Sequence, residues 1–310
     1  MNKNLNQIDT SYQMHIENEK KSRITGAFAS CYYEPDNIDN WRHERMRNII
    51  LPLIEFFPNS SWITIGDGSY GSDAYFLQNK GLDVLATSIS DETLSEAHKL
   101  GFIKKYKAIN SERITECDRS FDFVFCKEAY HHFPRPPIAL YEMIRVARNA
   151  VILIEPQENR EKLLDFFKKT IKTTLRKKIN PHYENTGNYI FRVNIKEITK
   201  MVVALDFEYI AYKKFNDFFI SKFSSKSTKG INWAKLVTAL GIFVQNIFCK
   251  ISLLNFGLAT VVIFKNDVNP DLIKKLYKNG YTVIKLPRNP YFYILIETYL
   301  FVPSSNWFTL

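Results

Sequence analysis

The stretch Trp62-Ile63-Thr64-Ile65-Gly66-Asp67-Gly68-Ser69-Tyr70-Gly71 constrains this chain more than any other. A β-branched run ends in three glycines spaced G-x-G-x-x-G, and an amphipathic stretch continues to about Lys80. That is the sequence form of a strand, a tight turn and a helix. Glycines suit the turn because the chain bends sharply and a ligand can press against bare backbone. The helix that follows aims its N-terminal amides, with the positive end of its dipole, at the same place. The spacing predicts a nucleotide-type site at residues 66–71. Dinucleotide dehydrogenases share this spacing, and a glycine turn can also serve packing alone.

An alternation follows. Ile63–Ile65, Val84–Thr87, Tyr106–Ile109, Phe121–Phe125 and Val151–Ile154 read as strands. Ser72–Lys80, Asp91–Leu100 and Pro136–Ala147 read as the helices between them, with Ser90 as an N-cap and Gly101 as a stop. Strands alternating with helices at this spacing predict an α/β fold with a doubly wound parallel sheet. Ligands of such sheets lie at the carboxyl ends of the strands. That rim collects the glycine loop, Ser88, Asn110, Lys127–His132 and Glu155.

The flanks are less regular. Residues 1–40 are polar and without clear period, which predicts a frayed start with at most a short helix. From Trp41 to Phe57 the apolar residues fall near helical spacing; Pro52 is expected to kink this helix and Pro58 to end it. Beyond Glu155, Glu158–Lys178 and Lys196–Leu205 read as helices, with a loop at 180–189 between them. Phe207–Tyr212 and Ala259–Phe264 read as strands. Ile231–Lys250 is apolar all round, which favours a packed helix over a membrane-surface or dimer helix. Asp271–Lys278 and Tyr281–Leu286 predict a last helix and strand before an aromatic tail, Tyr291–Phe308.

Composition narrows the function classes. Cys31, Cys117, Cys126 and Cys249 share no C-x-x-C spacing, which argues against a zinc site or a disulfide framework and predicts a reducing compartment. Met1–Lys20 has no apolar signal core, and no apolar run reaches the ~18 residues of a membrane span. A cytoplasmic protein is expected. The net charge is +10, and residues 161–230 hold 15 Lys and Arg against 7 Asp and Glu. Such a segment suits nucleic acid, anionic lipid headgroups or phosphorylated small molecules, or is simply a solvated face.

The second informative stretch is Phe121-Asp122-Phe123-Val124-Phe125-Cys126-Lys127-Glu128-Ala129-Tyr130-His131-His132-Phe133-Pro134-Arg135-Pro136, which leads into Ala139-Leu140-Tyr141-Glu142-Met143-Ile144-Arg145-Val146. Glycine loop, F-D-x-V-x-C strand, H-H-x-P turn and A-L-x-E-M-x-R-V helix, in that order, resemble the class I S-adenosylmethionine (SAM)-dependent methyltransferases. The resemblance covers about residues 60–156 and implies a Rossmann-like sheet of about seven strands with helices on both faces. The division it implies is an N-terminal helical extension (1–60), a methyltransferase domain (61–265, with helical insertions at about 158–205 and 219–256) and a C-terminal extension (266–310). It implies SAM as cofactor, held by Gly66, Asp67, Gly68 and Gly71, by Ser88 toward the ribose, by Asn110 and Ser111 toward adenine, and with Lys127 on the same rim. Three positions depart from the family pattern. Thr64 replaces an acid on strand one, the glycine loop is one residue longer, and Ser88 replaces the acid that binds the ribose hydroxyls, a loss that Asp91 or Glu92 could offset.

Methyl transfer from a sulfonium is an in-line displacement, so alignment of acceptor and methyl carries much of the catalysis. A hydroxyl acceptor also needs a base. The candidates are His131, His132 and Glu155; no metal is required. The expected acceptor is a small molecule or a sugar or glycan precursor. The basic and apolar mix of Glu158–Tyr189 and Ser221–Lys250 suits a phosphorylated or lipid-linked glycan precursor, which adds the expectation of peripheral contact with the inner membrane face. The whole arrangement, with its G-D-G-x-Y-G loop and C-K-E-x-Y-H-H-F-P-R-P stretch, resembles methyltransferases of bacterial surface-polysaccharide assembly. Nucleic acid is the less favoured partner, and a non-catalytic methyltransferase-like scaffold is the alternative that Thr64 and Ser88 raise.

Overall fold

A computed structural model describes residues 7–25, 33, 36–158, 182–183, 189–230 and 232–291. The helix expected at Glu158–Lys178, most of the 180–189 loop and all but the first residue of the aromatic tail lie outside them.

The strands are β1 (Ser61–Ile65), β2 (Asp83–Ser88), β3 (Tyr106–Ala108), β4 (Phe121–Lys127), β5 (Ala147–Pro156), β6 (Tyr209–Phe215), β7 (Leu258–Phe264) and β8 (Thr282–Lys285). They form one sheet in the order β3-β2-β1-β4-β5-β7-β6-β8. The first five strands pair in parallel, while β7 runs antiparallel between β5 and β6, and β8 is antiparallel to β6. The switch of strand order falls between β1 and β4, beside the glycine loop. The sheet thus has eight strands, one more than the resemblance implies, because the segment past residue 265 adds β8 to its edge.

Alternation along each strand feeds two cores. Trp62, Phe123 and Phe125 point to one face, where Met46, Leu77, Leu94 and Leu276 cover them. Ile63, Val124 and Val151 point to the other, against Leu140, Met143, Ile198 and Val202. Burying each such side chain contributes roughly 1.5–3 kcal/mol. The first face is covered by α2 (Ile38–Arg47), α3 (Leu51–Phe56), α4 (Ser72–Gln78), α5 (Glu92–Lys99) and α9 (Pro270–Lys278); the second by α6 (Pro136–Val146) and α7 (Ile195–Ala204).

Three expectations change. The helix expected over Trp41–Phe57 is two helices separated by a 3₁₀ turn at Asn48–Ile50, and Pro52 stands in the first turn of α3. Proline is tolerated there, since its missing N–H would have had no partner, so it opens a helix instead of kinking one. The polar N-terminus holds a 19-residue helix, α1 (Gln7–Thr25), where at most a short one was expected. The apolar stretch over 231–250 forms α8 (Trp233–Lys250), which buries only Ala234, Thr238, Ile242 and Cys249 and leaves most of its large apolar side chains exposed. It is not the fully packed helix that its composition favours.

Candidate functional site

The glycine loop follows β1 directly. Gly66 (φ 75°), Tyr70 (φ 56°) and Gly71 (φ 67°) take left-handed backbone, and the extra residue of the loop is Tyr70, fully buried. Gly66 is required by the protein itself: a Cβ there would stand 2.5 Å from Ala129 Cβ in the turn after β4. Gly71 opens α4 with its bare face against Ile103 and Leu94. Gly68 is different. A Cβ there would stand 2.5 Å from Glu19 Oε1 and 3.0 Å from Ser88 Oγ, two side chains that line a cavity with it.

That cavity measures about 290 Å³. Its floor is Gly66, Gly68 and Ser69, and its walls are Ser88 and Ile89 after β2, Ile109 and Ser111 after β3, and Glu128, Ala129, His132, Phe133 and Pro134 after β4. The roof comes from α1, whose Tyr12, His15 and Glu19 face inward at a spacing of three and four residues, one face of a helix.

Tyr12, His15 and Glu19 are cavity residues that the sequence reading missed, and Glu19 reaches furthest into the predicted site. Its Oε1 accepts a hydrogen bond of 2.5 Å from Ser88 Oγ, while Oε2 is buried without a partner among the described residues. Burial pushes its pKa up to about 7, and Asp91 and Glu92 add to this, against hydrogen bonds from Ser88 and Ser90. An acid therefore stands at the carboxyl end of β2 after all, delivered by α1. The spacing Tyr12, His15, Glu19 was the available signal, but without an apolar period it did not stand out.

The predicted residues divide sharply. Gly66, Gly68, Ser88, Ser111 and His132 line the cavity. Asp67 turns its carboxylate away into α4, accepting from Thr64 Oγ1 (3.0 Å), Asp73 N (3.1 Å) and Ala74 N (2.8 Å). Burial and the nearby Asp73 raise its pKa to about 7. The acid absent at Thr64 thus has a neighbour that ties strand, loop and helix together. Asn110 accepts from Glu112 N at 2.8 Å and shapes the loop after β3.

Lys127 belongs to an ion cluster beneath the loop instead of the cavity. Its Nζ lies 3.6 Å from Asp73 and 3.3 Å from Glu128, and Arg47 meets Asp73 at 2.7 Å. Burial would lower the pKa of Lys127, but Asp73 and Glu128 outweigh it and hold the ammonium charged. Burial would likewise raise Asp73 and Glu128, yet the surrounding cations hold both carboxylates low.

Glu155 is corrected as a base. It is fully buried; Oε1 accepts from Ala129 N (2.8 Å) and Tyr130 N (2.9 Å), and Oε2 lies 2.6 Å from His131 Nδ1. It fixes the H-H turn and orients His131, which does not line the cavity. The His131 ring in turn lies 3.9 Å, centroid to centroid, from that of His132. His132 is the histidine on the cavity wall, with the His15 ring 5.9 Å away.

A family model described as "Methyltransferase domain" matches residues 63–154, the stretch from β1 to β5 that builds the cavity floor. A comparison with curated proteins finds no match. Among solved structures, the chain is similar to a SAM-dependent methyltransferase of Thermotoga maritima described as a possible histamine N-methyltransferase. Identity there is 15%, the TM-score is 0.46, and 82% of this chain and 99% of that one are covered. The YcgJ protein of Bacillus subtilis gives 16% and 0.47, covering 73% and 100%. A phosphoethanolamine N-methyltransferase 2 of Haemonchus contortus, in complex with S-adenosyl-L-methionine, gives 16% and 0.46, covering 71% and 52%.

Proposed function

We propose that this chain is a SAM-dependent methyltransferase that methylates a hydroxyl of a small molecule, such as a sugar or glycan precursor. The observation that carries the reading is one cavity in which His132 faces Gly68, Ser88 and Glu19. The residues fit the donor. Gly68 borders the cavity with backbone alone, and Glu19 Oε2 is a buried acceptor without a partner among the described residues. An unmatched buried acceptor is costly, and a diol supplies the missing donors.

S-adenosyl-L-methionine supplies an electrophilic methyl group on a sulfonium that departs neutral. Gly66 and Gly68 would hold its amino-acid end against the loop, Glu19 and Ser88 would accept and donate at the ribose hydroxyls, and Ile89, Ile109 and Ser111 would wall the adenine side. His132 takes the proton from the acceptor hydroxyl as the new bond forms, and Glu155 with His131 keeps the turn that presents it. The scaffold alternative rests on Thr64 and Ser88; Glu19 beside Ser88 and Asp67 beside Thr64 supply acids at both places, which supports the cofactor reading.

The test is calorimetric titration with SAM and its demethylated product, on wild type and on Gly68→Arg, followed by transfer assays over nucleotide-sugars and lipid-linked glycans. Micromolar binding abolished by the substitution, with transfer lost about a hundredfold in His132→Ala, is expected. Absence of SAM binding in the wild type would overturn the reading.

A further inference from the structure

The helix α8 presents an apolar surface that the fold does not use. Trp233 is 63% exposed, Leu236 66%, Leu240 55%, Phe243 60%, Ile247 42% and Ile251 58%. From Leu236 these residues recur every three or four positions along one side of a helix of 18 residues, about 27 Å long. The opposite side, Ala234, Thr238 and Ile242, is small or short and packs onto the protein, and the Phe218 ring fills the space beside Gly241. Scattered apolar residues on a surface are ordinary, but a continuous row of this length marks a contact.

Charge says with what. Between Asp217 and Asp267 the chain has no acidic residue and six lysines. Lys229 pairs with Asp36, Lys235 stands over the Trp41 ring, and Lys265 donates to the Ile144 and Ala147 carbonyls. Lys222 and Lys226 are exposed at the N-terminal end of the row, where Phe223 meets Trp233 edge-on, and Lys250 is exposed at its C-terminal end. Asp36 offsets Lys229 beside the N-terminal end, and Lys222, Lys226 and Lys250 remain as the exposed charges flanking the row. Large apolar side chains flanked by lysines at both ends form the pattern of a helix lying in a bilayer interface. A second copy is disfavoured by the same charges: an antiparallel pair of these helices would bring lysine-bearing ends together.

We propose that α8 is a docking surface for an anionic phospholipid membrane, with the apolar row in the acyl boundary and the lysines among the headgroups. The placement in the fold is consistent. α8 joins the end of β6 to the start of β7, and Phe215 and Pro156 both pair with Leu258, so it leaves the sheet at the rim where β5 ends. Docking therefore turns the cavity rim toward the bilayer. The assignment stands on α8 and does not depend on methyl transfer.

The experiment is co-sedimentation of the full chain with vesicles of equal parts phosphatidylcholine and phosphatidylglycerol, against pure phosphatidylcholine. Leu240→Asp with Phe243→Asp tests the apolar row, and Lys222→Glu with Lys226→Glu tests the charges without touching any packed residue. Unchanged circular dichroism is the control for folding. Binding to the anionic vesicles about tenfold stronger than to the neutral ones, reduced at least tenfold by either pair, is expected. No binding by the wild type, or undiminished binding by both pairs, overturns the proposal. A dimer in sedimentation velocity that the aspartate pair dissolves, without vesicle binding, also overturns it and gives the face to a second copy.

Discussion

The Glu19 carboxylate has Ser88 as its partner on one oxygen, and on the other the donors of the cofactor proposed above would complete it. Ser88 satisfies Oε1, while Oε2 is buried and unmatched among the described residues and the pKa is raised to about 7. Donors from a ribose favour the charged carboxylate, so SAM binding should release a proton near neutral pH, read as a buffer-dependent binding enthalpy. Glu19→Gln keeps the shape and removes the charge; SAM affinity is expected to fall about tenfold, the difference between charge-assisted and neutral hydrogen bonds. The same group shapes stability. A carboxyl whose folded pKa is raised contributes stability fully present below its unfolded pKa, 4.5, and lost as pH rises through about 7. Asp67, raised to about 7, acts in the same direction. Without ligand, Tm should therefore decline from about pH 5 to about pH 8, and Glu19→Gln should flatten that slope. Gly66→Ala makes a harsher change at one residue, since it combines left-handed backbone with a Cβ 2.5 Å from Ala129. It should cost about 3 kcal/mol or more in urea denaturation, against about 1 kcal/mol for Gly81→Ala, where nothing stands in the way.

At the scale of elements, α1 behaves as part of the cavity and not as part of the core. Tyr12, His15 and Glu19 give it contacts that a ligand completes. Hydrogen exchange in α1 should slow by an order of magnitude or more when SAM is added, while β8, remote from the cavity, stays unchanged. This helix also shows where the sequence is silent. β1 to β5 are legible because apolar alternation and glycine turns register burial directly, and the fold they announce is the one observed. α1 buries polar groups against a polar site, so no apolar period marks it. The site shows the same division. Gly68, Ser88 and His132 are found by position along the motifs, whereas the choice between His131 and His132 depends on which way each ring turns. Glu155, 24 residues further on, holds the His131 ring, and His132 is the one of the two that lines the cavity. Lys127 and Asp67 sit at site positions in sequence and are drawn off by Arg47, Asp73 and the α4 amides, partners whose proximity only the fold creates. In α8 composition misleads for the opposite reason: apolar content reports burial only when the partner belongs to the same chain.

The whole molecule has one busy edge. The carboxyl ends of β1, β2 and β4 hold the cavity, and the antiparallel return of β6 and β7 hangs α8 from the rim beside them. An enzyme whose acceptor is carried by a lipid gains from this arrangement, because docking confines the search for the acceptor to a surface. Tryptophan fluorescence reads the arrangement directly. Trp62 is fully buried, whereas Trp233 is 63% exposed at the N-terminal end of the apolar row. On anionic vesicles the emission should move to shorter wavelength as Trp233 leaves water, and Trp233→Phe should abolish most of the shift. Raising the salt from about 0.05 to about 0.5 M should weaken the vesicle binding several-fold, since lysines attract headgroups only within a Debye length. An emission shift that persists in Trp233→Phe would mean that the bilayer meets another part of the molecule, and the link between α8 and the cavity rim would fall with it.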